Sequence, residues 1–282
     1  KFNSLKNNYE VIDTKIVVSD DLAPLSAIKR GKDSSMWKSI ESQISINSDV
    51  SLSAGNTGVL LIMSKMILKT LDGVDKPALA GLWPNKVNMN VVLDLGANVE
   101  CSEKNLVDFS EMGSALYQSL YPNDKSKVAL LNIGSEEIKG TELLKNTYSK
   151  LKILDKFGNF DFAGYIEGNQ ITEGKCNVIV TDGFTGNVAL KTAEGTANFL
   201  TQNLKQALSS NIFSKLSTIL SYFPLKKFKN KLDPRKYNGA IFLGLNGPVV
   251  KSHGSTDGLG FSYSIEVCYK IAKGNMMAKI KN

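Results

Sequence analysis

Cys176-Asn-Val-Ile-Val-Thr181, followed at once by Asp182-Gly-Phe-Thr-Gly-Asn187, is the stretch whose reading decides the fold. A short apolar run closed by an aspartate and two glycines reads as a buried strand delivered into a tight turn. A helical pattern takes over near Asn187. The same succession recurs on both sides. Asp49–Ser53 leads into Ala54-Gly-Asn-Thr-Gly58 and the apolar run Val59–Leu68. Asn90–Leu95 leads into Gly96-Ala-Asn-Val99 and a helical pattern over Glu103–Leu120. Lys127–Ile133 leads into Gly134-Ser-Glu-Glu137 and a helix to about Leu154. Asn238–Leu243 leads into Gly244-Leu-Asn-Gly247, with one more strand at Val249–Lys251 and a closing helix from about Leu259. Strands alternating with helices of these lengths imply βαβ units, hence an α/β fold with a mainly parallel sheet covered by helices. In such folds ligands bind beyond the carboxyl ends of the strands, where the glycine loops are expected to gather at one end of the sheet.

Composition narrows the class. A chain of 282 residues with 42% hydrophobic and 22% charged residues fits a folded globular protein, read as a single α/β domain over 1–282. No run approaches the roughly 18 apolar residues that a spanning helix needs, and no apolar h-region follows Lys1. One histidine and three cysteines far apart, Cys101, Cys176 and Cys268, offer no metal-ligand spacing, so neither metal nor cofactor is expected. The thiols suit a reducing cytoplasm as buried, inert side chains. The net charge of +7 is carried by scattered basic residues with no helix-turn-helix, zinc-finger or RNP pattern, so nucleic acid is not the expected partner. An acidic carrier protein or an anionic membrane face fits the charge as well.

One segment departs from the alternation. From Phe199, residues Leu200, Leu204, Leu208, Ile212, Leu216 and Leu220 recur at helical spacing, thickened by Phe213, Ile219, Tyr222 and Phe223. Pro224 is expected to end this helix, and Lys226, Lys227, Lys229 and Lys231 follow around Phe228. The segment at about 199–231 reads either as a helix packed on the core or on a dimer partner, or as a protruding apolar and basic element lying on an anionic bilayer.

The glycine loops carry the candidate chemistry. Glycine lets backbone amides approach an anion, a helix N-terminus adds unpaired N–H groups, and hydroxyls and amides donate without repelling charge. There is no P-loop, no GxGxxG fingerprint and no GxSxG elbow. The lone histidine, His253, lies in Lys251-Ser-His-Gly-Ser-Thr-Asp257, one residue short of an HxxxxD spacing.

Taken together, Arg30-Gly-Lys-Asp-Ser-Ser-Met36, SAGNTG at 53–58, LDLGANV at 93–99, LLNIGSEEIKG at 130–140, Tyr165-Ile-Glu-Gly168, TDGFTGNVALKTAEG at 181–195 and GLNGPVVKSHGSTD at 244–257 resemble the acyl-acyl-carrier-protein:phosphate acyltransferase family of fatty acid and phospholipid synthesis. The likeness runs from about residue 10 to the end. It implies a Rossmann-like fold similar to phosphotransacetylases and isopropylmalate dehydrogenases. It also implies a cytoplasmic homodimer at the membrane periphery, with an exposed apolar helical tip within Leu208–Lys231 and membrane contacts from Ile212, Phe213, Leu216, Leu220, Phe223, Lys226 and Lys227. Family members begin with an apolar strand and an Asp-Ala-Met-Gly-Gly-Asp loop, expected ahead of Lys1.

The activity so implied moves a long-chain acyl group from acyl-carrier protein to inorganic phosphate, with a glycerol-phosphate acyltransferase as downstream partner. Phosphate is itself a nucleophile, so positioning and preorganised donors can supply most of the catalysis. Ser53, Asn56, Thr57 and Gly58 are expected to hold phosphate. Lys191 and Lys251 are expected to offset negative charge, and Asn187 and Asn246 to donate near the carbonyl. Lys251 or His253 is expected to protonate the leaving thiolate. Asp94, Asn98, Asn132, Lys139 and Asp182 complete the substrate-binding candidates. A short-chain phosphotransacetylase and a non-catalytic membrane scaffold are the rival readings.

Overall fold

The computed structural model describes residues 8–19, 24–158, 160–231 and 233–281. The chain opens with α1 (Pro24–Gly31) and α2 (Ser35–Ser45), the latter started by Ser34, whose side chain accepts the Trp37 N–H. Then come β1 (Ser51–Ser53), α3 (Thr57–Leu68), β2 (Ala78–Pro84), β3 (Met89–Leu93) and α4 (Glu103–Leu120). Ser102 and Asn105 form a reciprocal capping box that starts α4. Next follow β4 (Lys127–Leu131), α5 (Glu142–Leu154), β5 (Asp161–Ile166), β6 (Val178–Val180) and α6 (Gly183–Ser209). The chain closes with α7 (Ile212–Leu220), α8 (Tyr222–Lys231), a 3-10 turn at Pro234–Tyr237, β7 (Ala240–Leu243), β8 (Val249–Lys251), α9 (Gly258–Lys273) and α10 (Met276–Lys281).

One eight-stranded sheet runs in the order β1-β8-β7-β2-β3-β6-β4-β5. The pairs β1/β8, β3/β6, β6/β4 and β4/β5 are parallel, while β8/β7, β7/β2 and β2/β3 are antiparallel. The sheet is mostly parallel, as the alternation implies. The strands are buried on both faces, which is why they read as unbroken apolar runs. Val91, Leu93, Val128, Leu130, Val178, Val180, Ile241 and Val250 face one core with Leu106, Phe109, Met112 and Leu116 of α4. Their neighbours Val92, Ala129, Ile179, Phe242 and Val249 face the other core with Ile40 of α2 and Val59, Leu60 and Met63 of α3.

Four local expectations change. β2 and β5 went unread as strands because Gly81, Pro84 and Gly164 punctuate them. Gly81 sits where a Cβ would stand 2.3 Å from Leu95 Cδ1, so a larger residue there would make the Leu95 side chain move. Helix α6 starts at Gly183, four residues ahead of Asn187, because Asp182 caps it by accepting the Thr185 N–H. Pro224 does not end a helix. It occupies the first turn of α8, where no intrahelical N–H bond is needed, and the break comes earlier, at Asn211, which caps α7.

The segment from the far half of α6 through α8 holds no buried residue. Phe213, Leu220 and Phe223 are each 80% exposed, so this element is not packed on the described core. No helix among the described residues is long and apolar enough to cross a membrane.

Candidate active site

Strand direction sorts the glycine loops into two sets. Three antiparallel steps separate β8 from β3, so the carboxyl ends of β1 and β8 lie at one end of the strands and those of β3, β6, β4 and β7 at the other. The expectation of five loops at one end is therefore corrected. The stretch 244–257 is itself divided, because β8 runs between its two halves.

The first set joins 53–58 to 252–256. The Ser252 N–H donates to the Ser53 carbonyl at 2.9 Å, and a Cβ on Gly254 would stand 3.3 Å from the Ala54 carbonyl oxygen. Ser53 Oγ accepts the Gly55 N–H at 3.2 Å, which folds the chain back toward α3. Asn56 caps that helix by accepting the Val59 N–H at 3.1 Å. This leaves the N–H groups of Thr57 and Gly58 in the first turn without intrahelical acceptors, the arrangement an anion needs. Lys251 closes β8, and its Nζ donates to the Ser252 carbonyl. His253 is exposed, with its backbone N–H on Asn238 Oδ1 and its Nδ1 2.9 Å from Ser255 Oγ.

Around this loop runs a network that the sequence reading missed. Buried Asn238 reaches Ser252, Thr256 and Gly260 as well as His253. Arg235 holds Asp233 and Asp257 together, at 2.6 and 2.8 Å. These partners keep the carboxyls of both aspartates below the usual range, chiefly through Arg235 at Asp233 and through the Gly260 N–H and then Arg235 at Asp257. The one visible signal was Asn238-Gly239, a turn dipeptide read as the start of a strand.

The second set is organised by Asp94. Its Oδ1 accepts the N–H groups of Leu79, Gly96 and Ala97, and its Oδ2 accepts the N–H and the side-chain amide of Asn98. The residue is fully buried, and burial raises its pKa against the pull of those donors. Every oxygen bond is an accepting one, so this carboxylate organises the loop. Asn98 donates also to the Pro77 carbonyl, at 2.7 Å. Asn132 performs the same service for 132–140, donating to the Lys139 carbonyl and accepting the Ile133 N–H. Lys139 is exposed.

Asp182 caps α6 and Asn187 lies against Gly96, while Lys191 is exposed and pairs with Glu194 at 2.7 Å. Asn246 donates to the Thr70 carbonyl at the rim of an open cavity of about 290 Å³ that Gln43, Asn47, Asp49 and Met277 also line. That cavity lies near the start of β8, whereas His253 follows its end. Among the described residues no cluster of His, Cys, Asp or Glu is arranged to hold a metal ion.

The sequence matches the family described as "Fatty acid synthesis protein" over residues 2–279. The chain belongs to this family. It is 59% identical, over 98% of its own length and 83% of the relative's, to a phosphate acyltransferase of Pelagibacter ubique. It is 42% identical, over 100% of its length and 80% of the relative's, to a phosphate acyltransferase of Agrobacterium fabrum. Its fold is similar to that of a phosphotransacetylase from Streptococcus pyogenes, with a TM-score of 0.55 at 16% identity, covering 92% of this chain and 70% of the other. A phosphotransacetylase from Staphylococcus aureus gives 0.53 at 14% identity, covering 98% and 82%. At these identities the solved structures speak to fold alone. They agree with the Rossmann-like reading, and the family match agrees with the resemblance drawn from the loops.

Proposed function

We propose that this chain, an acyltransferase of its family, transfers a long-chain acyl group from acyl-carrier protein to inorganic phosphate. The single observation that carries the acyl-to-phosphate reading is near-full-length identity to phosphate acyltransferases. The carrier-protein donor is our own reading. Phosphate sits against the first turn of α3 and the side chains of Ser53, Asn56 and Thr57, where unpaired N–H groups favour an anion. One of its oxygens attacks the thioester carbonyl, the carbon–sulfur bond breaks, and the carrier thiolate leaves with a proton from Lys251 or His253. Backbone amides of the loops at 53–58 and 252–256 hold the developing oxyanion and Lys251 offsets its charge, while Asn187, Lys191 and Asn246 follow strands that run the other way and lie at the opposite end. The reaction needs no enzyme nucleophile.

The same reading gives the arm from 199 to 231 a peripheral membrane role. Six lysines and no acidic residue fall in this stretch, so it carries most of the net charge of +7 that at first sight looked scattered. Exposed apolar side chains beside that charge suit an anionic lipid surface. A cytoplasmic homodimer that hands acyl-phosphate to a glycerol-phosphate acyltransferase completes the proposal.

The test is acyl-phosphate formation by the full-length protein, trapped with hydroxylamine, from long-chain acyl-carrier protein and from short-chain acyl-CoA. Phosphate-dependent release of carrier thiol is expected. Turnover with acetyl-CoA alone would move the chain to the phosphotransacetylases, and a folded protein without turnover would leave a scaffold.

A further inference from the structure

We infer that Asn238 is a positioning residue for the phosphate site, acting through the backbone of His253; this rests on reading the loops at 53–58 and 252–256 as that site. Asn238 stands at the entrance to β7 and is almost fully buried. Its Oδ1 accepts the His253 N–H at 2.8 Å. Its Nδ2 reaches Ser252 Oγ at 2.9 Å, the Gly260 carbonyl at 3.0 Å and Thr256 Oγ1 at 3.3 Å. One amide has two hydrogens, so these three acceptors share them.

A single side chain thereby ties the end of β8, the loop beyond it and the first turn of α9. Its own position is set by Gly239, whose φ of +118° is glycine territory. A Cβ at Gly239 would stand 3.3 Å from the Ser264 Cα, so the chain passes close against α9. On its far side the loop is bonded to β1 through the Ser252 N–H and the Ser53 carbonyl. Removing the Asn238 amide leaves the buried end of this chain of bonds open, and the loop that carries His253 loses its fixed place beside residues 53 and 54.

His253 is the sole histidine of the chain, so its imidazole gives a single set of NMR signals. The experiment titrates the folded protein with inorganic phosphate while following those signals in wild type, Asn238→Ala and Asn238→Asp. Wild type is expected to shift saturably. Asn238→Ala is expected to need about tenfold more phosphate, the loss of roughly one well-made buried hydrogen bond. Asn238→Asp keeps the oxygen that takes the His253 N–H, so the His253 backbone amide signal is expected to stay near its wild-type position, while the added charge weakens phosphate binding.

An Asn238→Ala titration that matches wild type overturns the inference and leaves the site intact. An Asn238→Asp variant whose His253 backbone amide signal moves as far as that of Asn238→Ala also overturns it, since the accepting oxygen would then not be what positions the loop. A wild-type signal that phosphate does not move sinks the phosphate site itself, and the inference with it. If Asn238→Ala does not fold, the position of the His253 backbone amide signal in Asn238→Asp against wild type decides.

Discussion

Gly186 lies so close beneath the Asp94 carbonyl that a Cβ placed on it would stand 1.9 Å from that oxygen. The first turn of α6 is thus pressed onto the loop after β3, and Gly183 is pressed the same way onto the Asn98 backbone, at 2.5 Å. Backbone cannot step aside as a flexible side chain can. Gly186→Ala is expected to destabilise the fold by about 3 kcal/mol or more. Gly195, on the same helix, has nothing within 4 Å of its Cβ position. Gly195→Ala is expected to stabilise by about 0.5–1 kcal/mol, because alanine is the better helix former. Chemical denaturation of the pair checks this, and equal effects would refute the close approach.

Asp94 and its five donors give a second prediction. Asn at this position replaces one accepting oxygen by a donor, so at least two N–H groups meet another N–H. Each buried group left unsatisfied costs about 1–3 kcal/mol. Asp94→Asn is expected to lower the thermal midpoint by roughly 5 °C or more, measured by calorimetry. A midpoint within a degree of wild type would show that the carboxylate does not organise this loop.

Burial pushes the thiols of Cys101, Cys176 and Cys268 up from 9.0 to about 11. At pH 8 the native thiolate fraction is then about a hundredfold below that of the unfolded chain, and alkylation by iodoacetamide slows to match. A folded-state pKa above the unfolded value means that the native chain holds protons the unfolded chain releases. The stability so contributed is complete below pH 9 and lost as pH rises toward 11. Alkylation rates at pH 8 with and without denaturant test the first point, and melts between pH 8 and pH 11 the second.

The arm from 199 to 231 predicts salt-sensitive binding to vesicles containing anionic lipid, read by sedimentation. Raising the salt weakens the attraction by screening. Phe213→Ser with Phe223→Ser is expected to reduce binding several-fold while leaving the melt unchanged, because neither ring is buried in the core. Binding that survives both the salt and the double substitution would point away from this arm.

What the sequence by itself determined is what repeats along the chain. The α/β class was legible because strands covered on both faces leave continuous apolar runs, and helices leave their own period between capping residues such as Ser102, Thr141 and Asp182. The family was legible because loops such as 53–58 and 181–187 pair glycine with hydroxyls and amides in an order that packing alone does not demand. The exposed arm left its stripe and its lysines. Tertiary structure decided the rest, since it depends on partners distant in sequence. Only the pairing of β7 with β2 and β8, and of β2 with β3, reverses the strand direction and divides the glycine loops into two sets. That Asp94 gathers five donors was not legible, because they include Leu79 on a neighbouring strand. Asn238 looked like the start of a strand, and the residues that give it a task lie 14 to 22 positions away. Periodicity records what one segment buries; which side chain meets which is settled only when the sheet closes them together.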